Sequence, residues 1–244
     1  MEDKALLSTE EASGAEKAEL LIVIPAYNEA ENIERVVNHL TANFPQYDYV
    51  VVNDGSRDET AICQRNGYNL LNLPVNLGLA GAFQAGLKYA DKYGYQYAVQ
   101  LDGDGQHRPE YLESMIKKME EGYDIVIGSR FVGEKKPFTM RMLGSNLIEM
   151  AIRFTTGVNI KDPTSGMRMF SKRMIREFAS GLNYGPEPDT VSYLIRQGAR
   201  VAEVPVIMDE RILGVSYLTP VNAMRYMLKM LISILLIQNF RKRR

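Results

Sequence analysis

Short apolar runs that alternate with helix-spaced segments constrain the fold of this chain more than any other feature of its sequence. Leu20 to Ile24 is followed by Ile33, Val36, Val37 and Leu40 at helical spacing, and then by a second run from Tyr49 to Val52. Further runs at Leu70 to Leu73, Tyr97 to Leu101 and Ile125 to Ile127 are separated by helical patterns near Leu79 to Lys92 and Glu110 to Glu120. Such alternation predicts an α/β domain with a parallel sheet covered by helices. Ligands of these sheets bind beyond the carboxyl ends of the strands, and the polar motifs of this chain lie there.

Composition narrows the class. The 244 residues, 45% hydrophobic and 24% charged, suit one generous globular domain or one domain with an appendage. A net charge of −1 lacks the strongly basic balance of a bulk nucleic-acid binder, so nucleic acid is not an expected partner. Cys63 is the single cysteine. It excludes an internal disulfide, reads as a small packed residue and fits a reducing compartment. No signal-peptide pattern opens the sequence, so the chain is expected in the cytosol or facing it. The polar, acidic stretch over 1–18 has no sustained periodicity and reads as a flexible tail.

The run Val99-Gln100-Leu101-Asp102-Gly103-Asp104-Gly105-Gln106-His107 ends an apolar strand in two carboxylates one residue apart. Alternate residues leaving a strand point to one side, so Asp102 and Asp104 can converge on a hard cation such as Mg²⁺ or Mn²⁺. Gly103 and Gly105 leave room for phosphate. An isolated Asp-x-Asp is also ordinary turn chemistry, so its neighbours must decide the case. Pro25-Ala26-Tyr27-Asn28-Glu29 follows the first strand and Asn53-Asp54-Gly55-Ser56-Arg57-Asp58 the second, each combining acceptors and turn residues where a nucleoside could lie. Asn28 and Asp58 read equally well as helix caps. Asn76-Leu77-Gly78-Leu79-Ala80-Gly81 opens a helix with small residues that let a diphosphate approach backbone amides. His107, exposed in a glycine-rich turn before Pro109, and His39, in a helical stretch, read as ordinary residues and not as metal ligands, because hard cations prefer oxygen.

Taken in order, these segments resemble the inverting family 2 glycosyltransferases of the GT-A fold, over about Leu20 to Tyr217. Gly128-Ser129-Arg130, Asp162-Pro163-Thr164-Ser165-Gly166-Met167-Arg168, and Glu203-Val204-Pro205-Val206 with Arg211 and Gly214-Val215-Ser216 make the chain most similar to the polyprenyl-phosphate hexosyltransferases. That branch contains dolichyl-phosphate mannose synthase and the bacterial undecaprenyl-phosphate glucosyltransferases. The resemblance implies a Rossmann-like GT-A catalytic domain over 19–217 with a mostly parallel sheet. It implies Pro25, Tyr27, Glu29 and Asp54 around base and ribose, Gly81 in the nucleotide-sugar site, and Asp102, Asp104 and Gln106 at the metal and diphosphate. It implies Arg130 and Arg211 at an acceptor phosphate, aided by Ser216, with Asp162 near the reaction centre as an orienting group or a base. Tyr217 stands where relatives often carry lysine, and Asn53 where a second acidic residue is frequent.

The implied activity is metal-dependent, inverting transfer of a hexose, with glucose or N-acetylglucosamine from a UDP sugar favoured, to undecaprenyl phosphate on the cytosolic membrane face, serving the cell envelope. An acceptor phosphate is already anionic near neutral pH, so alignment and charge management become the main catalytic tasks. Two other readings stay open: transfer to a saccharide or protein, and a non-catalytic membrane scaffold.

The C-terminal part bears on the acceptor. Over 218–244 the chain reads as an amphipathic helix with Met224, Met227, Leu228, Leu231, Ile232 and Leu235 on one face, then Arg241-Lys242-Arg243-Arg244. Its uninterrupted apolar core is Met230 to Ile237, far short of the roughly 20 residues of a membrane span. A juxtamembrane helix lying on anionic lipid is expected, or a helix packed on the domain or a partner subunit, or both. Expected partners are therefore a nucleotide sugar, a polyprenyl phosphate, a peripheral membrane surface, and a homo-oligomer or separate small membrane protein.

Overall fold

The computed structural model describes residues 18–60, 66–134, 136–137, 139–180, 185–209 and 220–240. They form one seven-stranded sheet flanked by helices. In chain order the elements are β1 (Leu20–Ala26), α1 (Ala30–Asn43), β2 (Asp48–Asn53), β3 (Leu70–Asn72), α2 (Gly78–Lys92), β4 (Tyr97–Gln100), α3 (Leu112–Glu120), β5 (Ile125–Ser129), α4 (Met140–Thr156), β6 (Arg168–Ser171), α5 (Lys172–Ala179), α6 (Pro188–Arg196), β7 (Val201–Pro205) and α7 (Pro220–Leu235). The sheet order is β3-β2-β1-β4-β6-β5-β7. Every neighbouring pair is parallel except those that β6 makes with β4 and β5.

β1 is covered on both faces, which is why its sequence is an unbroken apolar run rather than an alternating one. Leu21 and Val23 face a core shared with Phe83, Leu87, Phe170 and Phe178, under α2 and the later helices. Leu20, Ile22 and Ile24 face the opposite core, with Ile33, Val37, Leu112 and Met115 from α1 and α3. The five strands expected from the apolar runs are present. The apolar runs did not reveal β6, β7, α4, α5 and α6. Among them β6 matters most, because it enters antiparallel between β4 and β5 and pairs Arg168 with Gln100 on one side and Ile127 on the other.

α7 is part of the globule and packs against α4 and α6. Met230 and Ile234 are buried in the core beneath it. Gly144 of α4 permits the close approach, since a Cβ there would stand 2.7 Å from Met227 Cγ. Two polar contacts fix the register: Tyr226 OH donates to Glu187 Oε2 at 2.8 Å and Ser233 Oγ to Asp189 Oδ2 at 2.6 Å. Burial, with the Glu187 carboxylate beside it, pushes the Tyr226 phenol well above its usual range. The outer faces of α4 and α7 are apolar and exposed, with Leu143, Leu147, Met150 and Phe154 on the first and Met224, Leu228, Ile232 and Leu235 on the second. Among the described residues no helix is long and apolar enough to cross a membrane.

Gly86 shows how tightly the central layer is packed, because a Cβ at this position of α2 would lie 2.2 Å from Val23 Cγ1 on β1. Gly86→Ala is expected to destabilise the fold by about 1–3 kcal/mol, the usual cost of forcing an extra methyl into a packed core. Chemical denaturation checks this, and an unchanged midpoint would contradict the packing.

Candidate active site

The polar loops gather at the carboxyl ends of β1, β2, β4 and β5, the edge where open α/β sheets bind ligands. The first two are laced together by their own side chains. Asn28 takes a left-handed conformation, φ 54°, and its Oδ1 accepts the Arg57 amide at 2.9 Å while its own amide donates to Ser56 Oγ at 3.1 Å. Asp58 accepts the first amide of α1, Ala30 N–H, at 3.2 Å, and so caps that helix from the neighbouring loop. Burial works against the Asp58 charge, but hydrogen bonds from Thr60 and Ala30 outweigh it and hold the carboxyl below its usual value. Thr60 Oγ1 in turn accepts the Glu29 amide at 3.1 Å.

The residues expected around a nucleoside differ in exposure. Tyr27 and Glu29 are half-buried. Glu29 Oε2 accepts Asn32 Nδ2 at 2.8 Å, and the Glu29 side chain lies beside Gly103 together with the Pro25 carbonyl. Asp54 is buried, and its Oδ1 accepts the Leu77 amide at 2.7 Å. It thereby pins the loop that opens α2. Leu77, at the N-cap of α2, makes no side-chain cap. Gly81 sits in that turn, where a Cβ would collide with the Leu77 side chain at 2.3 Å.

The Asp102–His107 loop is held by both main-chain and side-chain hydrogen bonds. Gly105 N–H donates to the Asp102 carbonyl at 3.3 Å and Gln106 N–H to Asp104 Oδ1 at 3.0 Å. Arg35 from α1 donates to the Asp104 carbonyl at 3.0 Å. From the far side, Asp209 N–H meets the Gln106 carbonyl at 2.9 Å, and Gln106 Nε2 meets the Asp209 carbonyl at 3.2 Å. Asp209 is itself paired with Arg108, whose guanidinium holds the Asp209 carboxyl below its ordinary value. The Gln106 side-chain amide nitrogen is thus engaged.

Asp102, Asp104 and Gln106 present oxygen donors from one loop, the chemistry a hard divalent cation selects. Among the described residues no three His, Cys, Asp or Glu side chains converge as a self-sufficient metal cage. A site with two carboxylates and an amide leaves coordination positions for ligand oxygens, which suits a cation shared with a diphosphate.

The fourth cluster surrounds Arg130 at the end of β5. Asp162 is fully buried and meets the guanidinium in a two-pronged pair, Nε to Oδ2 at 2.7 Å and Nη2 to Oδ1 at 2.9 Å. The Arg130 amide also donates to Oδ2 at 3.1 Å. Both Asp162 oxygens are bound to Arg130, an arrangement that orients the guanidinium. Glu203 of β7 fixes the segment before it, accepting the amides of Lys161 at 2.7 Å and Asp162 at 2.8 Å. The outer edge of the Arg130 fork faces away from Asp162. Phe131 carries Arg130 and Lys136 near its ring, at 5.3 and 5.5 Å, and Lys136 pairs with Glu149 of α4 at 2.7 Å.

Arg211, Ser216, Tyr217 and Cys63 lie outside the described residues. His39 is exposed. His107 is not: it is buried, its side chain 3% exposed, against Asp102. The glycine-rich turn and Pro109 predict a solvent-facing ring, which the structure does not show. The ring instead folds back under that turn, a long-range packing that spacing does not reveal.

An α/β sheet with these loops at one edge defines a GT-A-type fold. Glucosyl-3-phosphoglycerate synthase from Mycobacterium tuberculosis, crystallised with Mn²⁺, UDP and glucosyl-3-phosphoglycerate, matches it with a TM-score of 0.62 and 20% identity over 90% of this chain and 79% of that one. The chain belongs to glycosyl transferase family 2, whose profile matches residues 21–178. It is 32% identical to a polyprenol monophosphomannose synthase of Mycolicibacterium smegmatis, over 86% of this chain and 84% of that protein. It is 31% identical to an undecaprenyl-phosphate mannosyltransferase of Micrococcus luteus, over 81% of this chain and 86% of that protein.

Removing the Asp162 charge tests the Arg130 clamp. Asp162→Ala leaves a largely buried guanidinium unpaired and is expected to cost about 3–5 kcal/mol of stability. Arg130→Lys is expected to be poorly tolerated as well, because an ammonium cannot bridge both carboxylate oxygens. Thermal melts of the two variants check this, and a wild-type melting temperature for Asp162→Ala would refute the clamp.

Proposed function

We propose that this protein transfers a hexose from a nucleoside diphosphate sugar to a polyprenyl phosphate at a membrane surface, with inversion at the anomeric carbon. The observation that carries the reading is a guanidinium, Arg130, held rigidly by Asp162 and linked through Phe131, Lys136 and Glu149 to α4, a helix with an exposed apolar face. A phosphate on a lipid needs a cationic grip beside an apolar surface, and this chain has both within a few side chains. The two relatives are named for polyprenyl-phosphate acceptors, which favours the same acceptor here.

The residues divide the work. The α2 amides and the Asp102–His107 loop receive the diphosphate, and a divalent cation bound there, Mg²⁺ or Mn²⁺, would neutralise the charge on the departing nucleoside diphosphate. Arg130 aligns the acceptor phosphate, whose oxygen is already anionic and attacks without a base. Gly103 keeps the floor of the loop low, since a Cβ there would meet Ile33 and the Pro25 carbonyl at 3.2 Å. One in-line displacement inverts the anomeric centre. The family resemblance favours glucose or N-acetylglucosamine from UDP, whereas the two relatives are named for mannose, so the donor is a matter for assay.

The exposed faces of α4 and α7 supply a peripheral membrane site. Phe154 is 85% exposed and Met224 66%, and exposed Arg153, Arg225 and Lys229 flank them. Apolar side chains rimmed by cations suit an anionic lipid surface.

The decisive assay mixes the protein with undecaprenyl phosphate, Mg²⁺ or Mn²⁺, and UDP-glucose, UDP-N-acetylglucosamine or GDP-mannose, and identifies the lipid product by mass. Asp104→Ala is expected to lower turnover by about 10²-fold or more with an unchanged melting temperature, the scale on which loss of one electrostatic stabiliser acts. Full activity in that variant, or no glycolipid with any donor, would remove the reading. In vesicle flotation, wild type should rise with vesicles containing anionic lipid, and Phe154→Glu should lower the bound fraction several-fold. Equal flotation of the two would exclude this face as the membrane contact.

A further inference from the structure

The buried imidazole beneath the carboxylate loop is engaged by Asp102 at both of its ring nitrogens. The Asp102 amide donates to His107 Nδ1 at 3.0 Å. A backbone amide can only donate, so Nδ1 is the unprotonated nitrogen and the ring proton sits on Nε2. Nε2 lies 3.6 Å from Asp102 Oδ2, beyond hydrogen-bond length but close enough for the N–H to attract that oxygen. On the other side of the carboxylate, Gln100 Nε2 donates to Oδ1 at 3.0 Å.

Gly166 completes the arrangement from a distant part of the chain. A Cβ there would stand 3.0 Å from Asp102 Oδ2 and 3.1 Å from His107 Cε1. The loop ahead of β6 therefore closes over the histidine–aspartate contact, and only glycine leaves both side chains where they are. A buried histidine that merely fills space has no need for this. It would not offer one nitrogen to the main chain of a residue and the other to the side chain of the same residue, under a glycine that any substituent would push into both.

We propose that His107 is a positioning residue for Asp102. By accepting the Asp102 amide and lying beside its Oδ2, it sets the orientation of the carboxylate that would hold a divalent cation, with Gly166 preserving the contact. The role is to orient oxygen donors, and the ring contributes no bond to the metal. This rests on the metal-dependent reading above, and groups that orient metal ligands from behind commonly change affinity by about 10- to 100-fold when removed.

The test is a Mn²⁺ titration followed by electron paramagnetic resonance, with Mn²⁺ alone and then with added UDP or GDP. His107→Leu keeps apolar volume but has no acceptor, whereas His107→Asn restores an acceptor near the position of Nδ1. His107→Leu should weaken Mn²⁺ binding about 10-fold or more, with His107→Asn recovering most of the loss. Gly166→Ala should weaken binding in the same direction. In turnover, the Mn²⁺ concentration giving half-maximal rate should rise more than the rate at saturating Mn²⁺ falls. Wild-type Mn²⁺ affinity in His107→Leu, or equal loss in the leucine and asparagine variants, would overturn the proposal. Asp104→Ala separates the two ideas: if it loses Mn²⁺ while His107→Leu does not, only the positioning role falls. If Asp104→Ala binds Mn²⁺ as wild type does, the metal reading falls and the positioning role with it.

Discussion

A fully buried carboxylate, Asp162, is the point on which the second half of this structure turns. Removing a charge from water is costly, and an ion pair offsets that only with good geometry and satisfied oxygens. Arg130 supplies its fork and its own amide to the two oxygens, and Glu203 receives the amides that lead into Asp162. Ser165 adds a bond to the Gly128 carbonyl at 2.5 Å, and Arg168 one to the Pro163 carbonyl at 2.6 Å. The end of β5, the strand β7 and the segment entering β6 are thereby drawn to one place. The gain is geometric more than energetic, because a long flexible arginine becomes a fixed fork.

The front half of the fold is legible because its chemistry is local. β1 is apolar on both faces, α1 and α2 carry ordinary helical stripes, and each strand ends in turn residues, so periodicity reports burial directly. The later elements break that link. β6 starts with a charged residue, Arg168, which is buried in the sheet with burial pressing its guanidinium toward the neutral form. β7 contains Glu203 and Pro205. α4 shows solvent an apolar stripe of Leu143, Leu147, Met150 and Phe154, so its hydrophobic residues do not mark its core side. Nothing local in a sequence says that an antiparallel strand will insert between two parallel ones.

The candidate site divides in the same way. Residue types and spacing suffice to bring Asp102, Asp104 and Gln106 onto one loop, since neighbours in sequence are neighbours there. The Asp162–Arg130 pair joins residues 32 apart, and only the motifs around each hinted at a shared purpose. His107 was misread for the opposite reason. It is near its partner in sequence, but its burial depends on Gly166, which arrives from the loop ahead of β6. Asp54, Asn28 and Asp58 turn out to knit loops together as well as to border the site, so a polar residue at a strand end need not choose between scaffold and ligand contact.

The inserted strand also explains how two polyanions could share one site. β4 and β5 each run antiparallel to β6, so they are parallel to one another and their carboxyl ends open on the same edge. One strand lies between them, which at a spacing of about 4.8 Å per strand separates the carboxylate loop and the arginine clamp by about 10 Å in the plane of the sheet. On the proposed function, that spacing would leave room for a sugar ring between the two clusters. The loop that precedes β6 passes close to Asp102 at Gly166 and binds Arg130 through Asp162. Asp162 and Gly166 thus tie the arginine clamp and the carboxylate loop to one short segment of backbone.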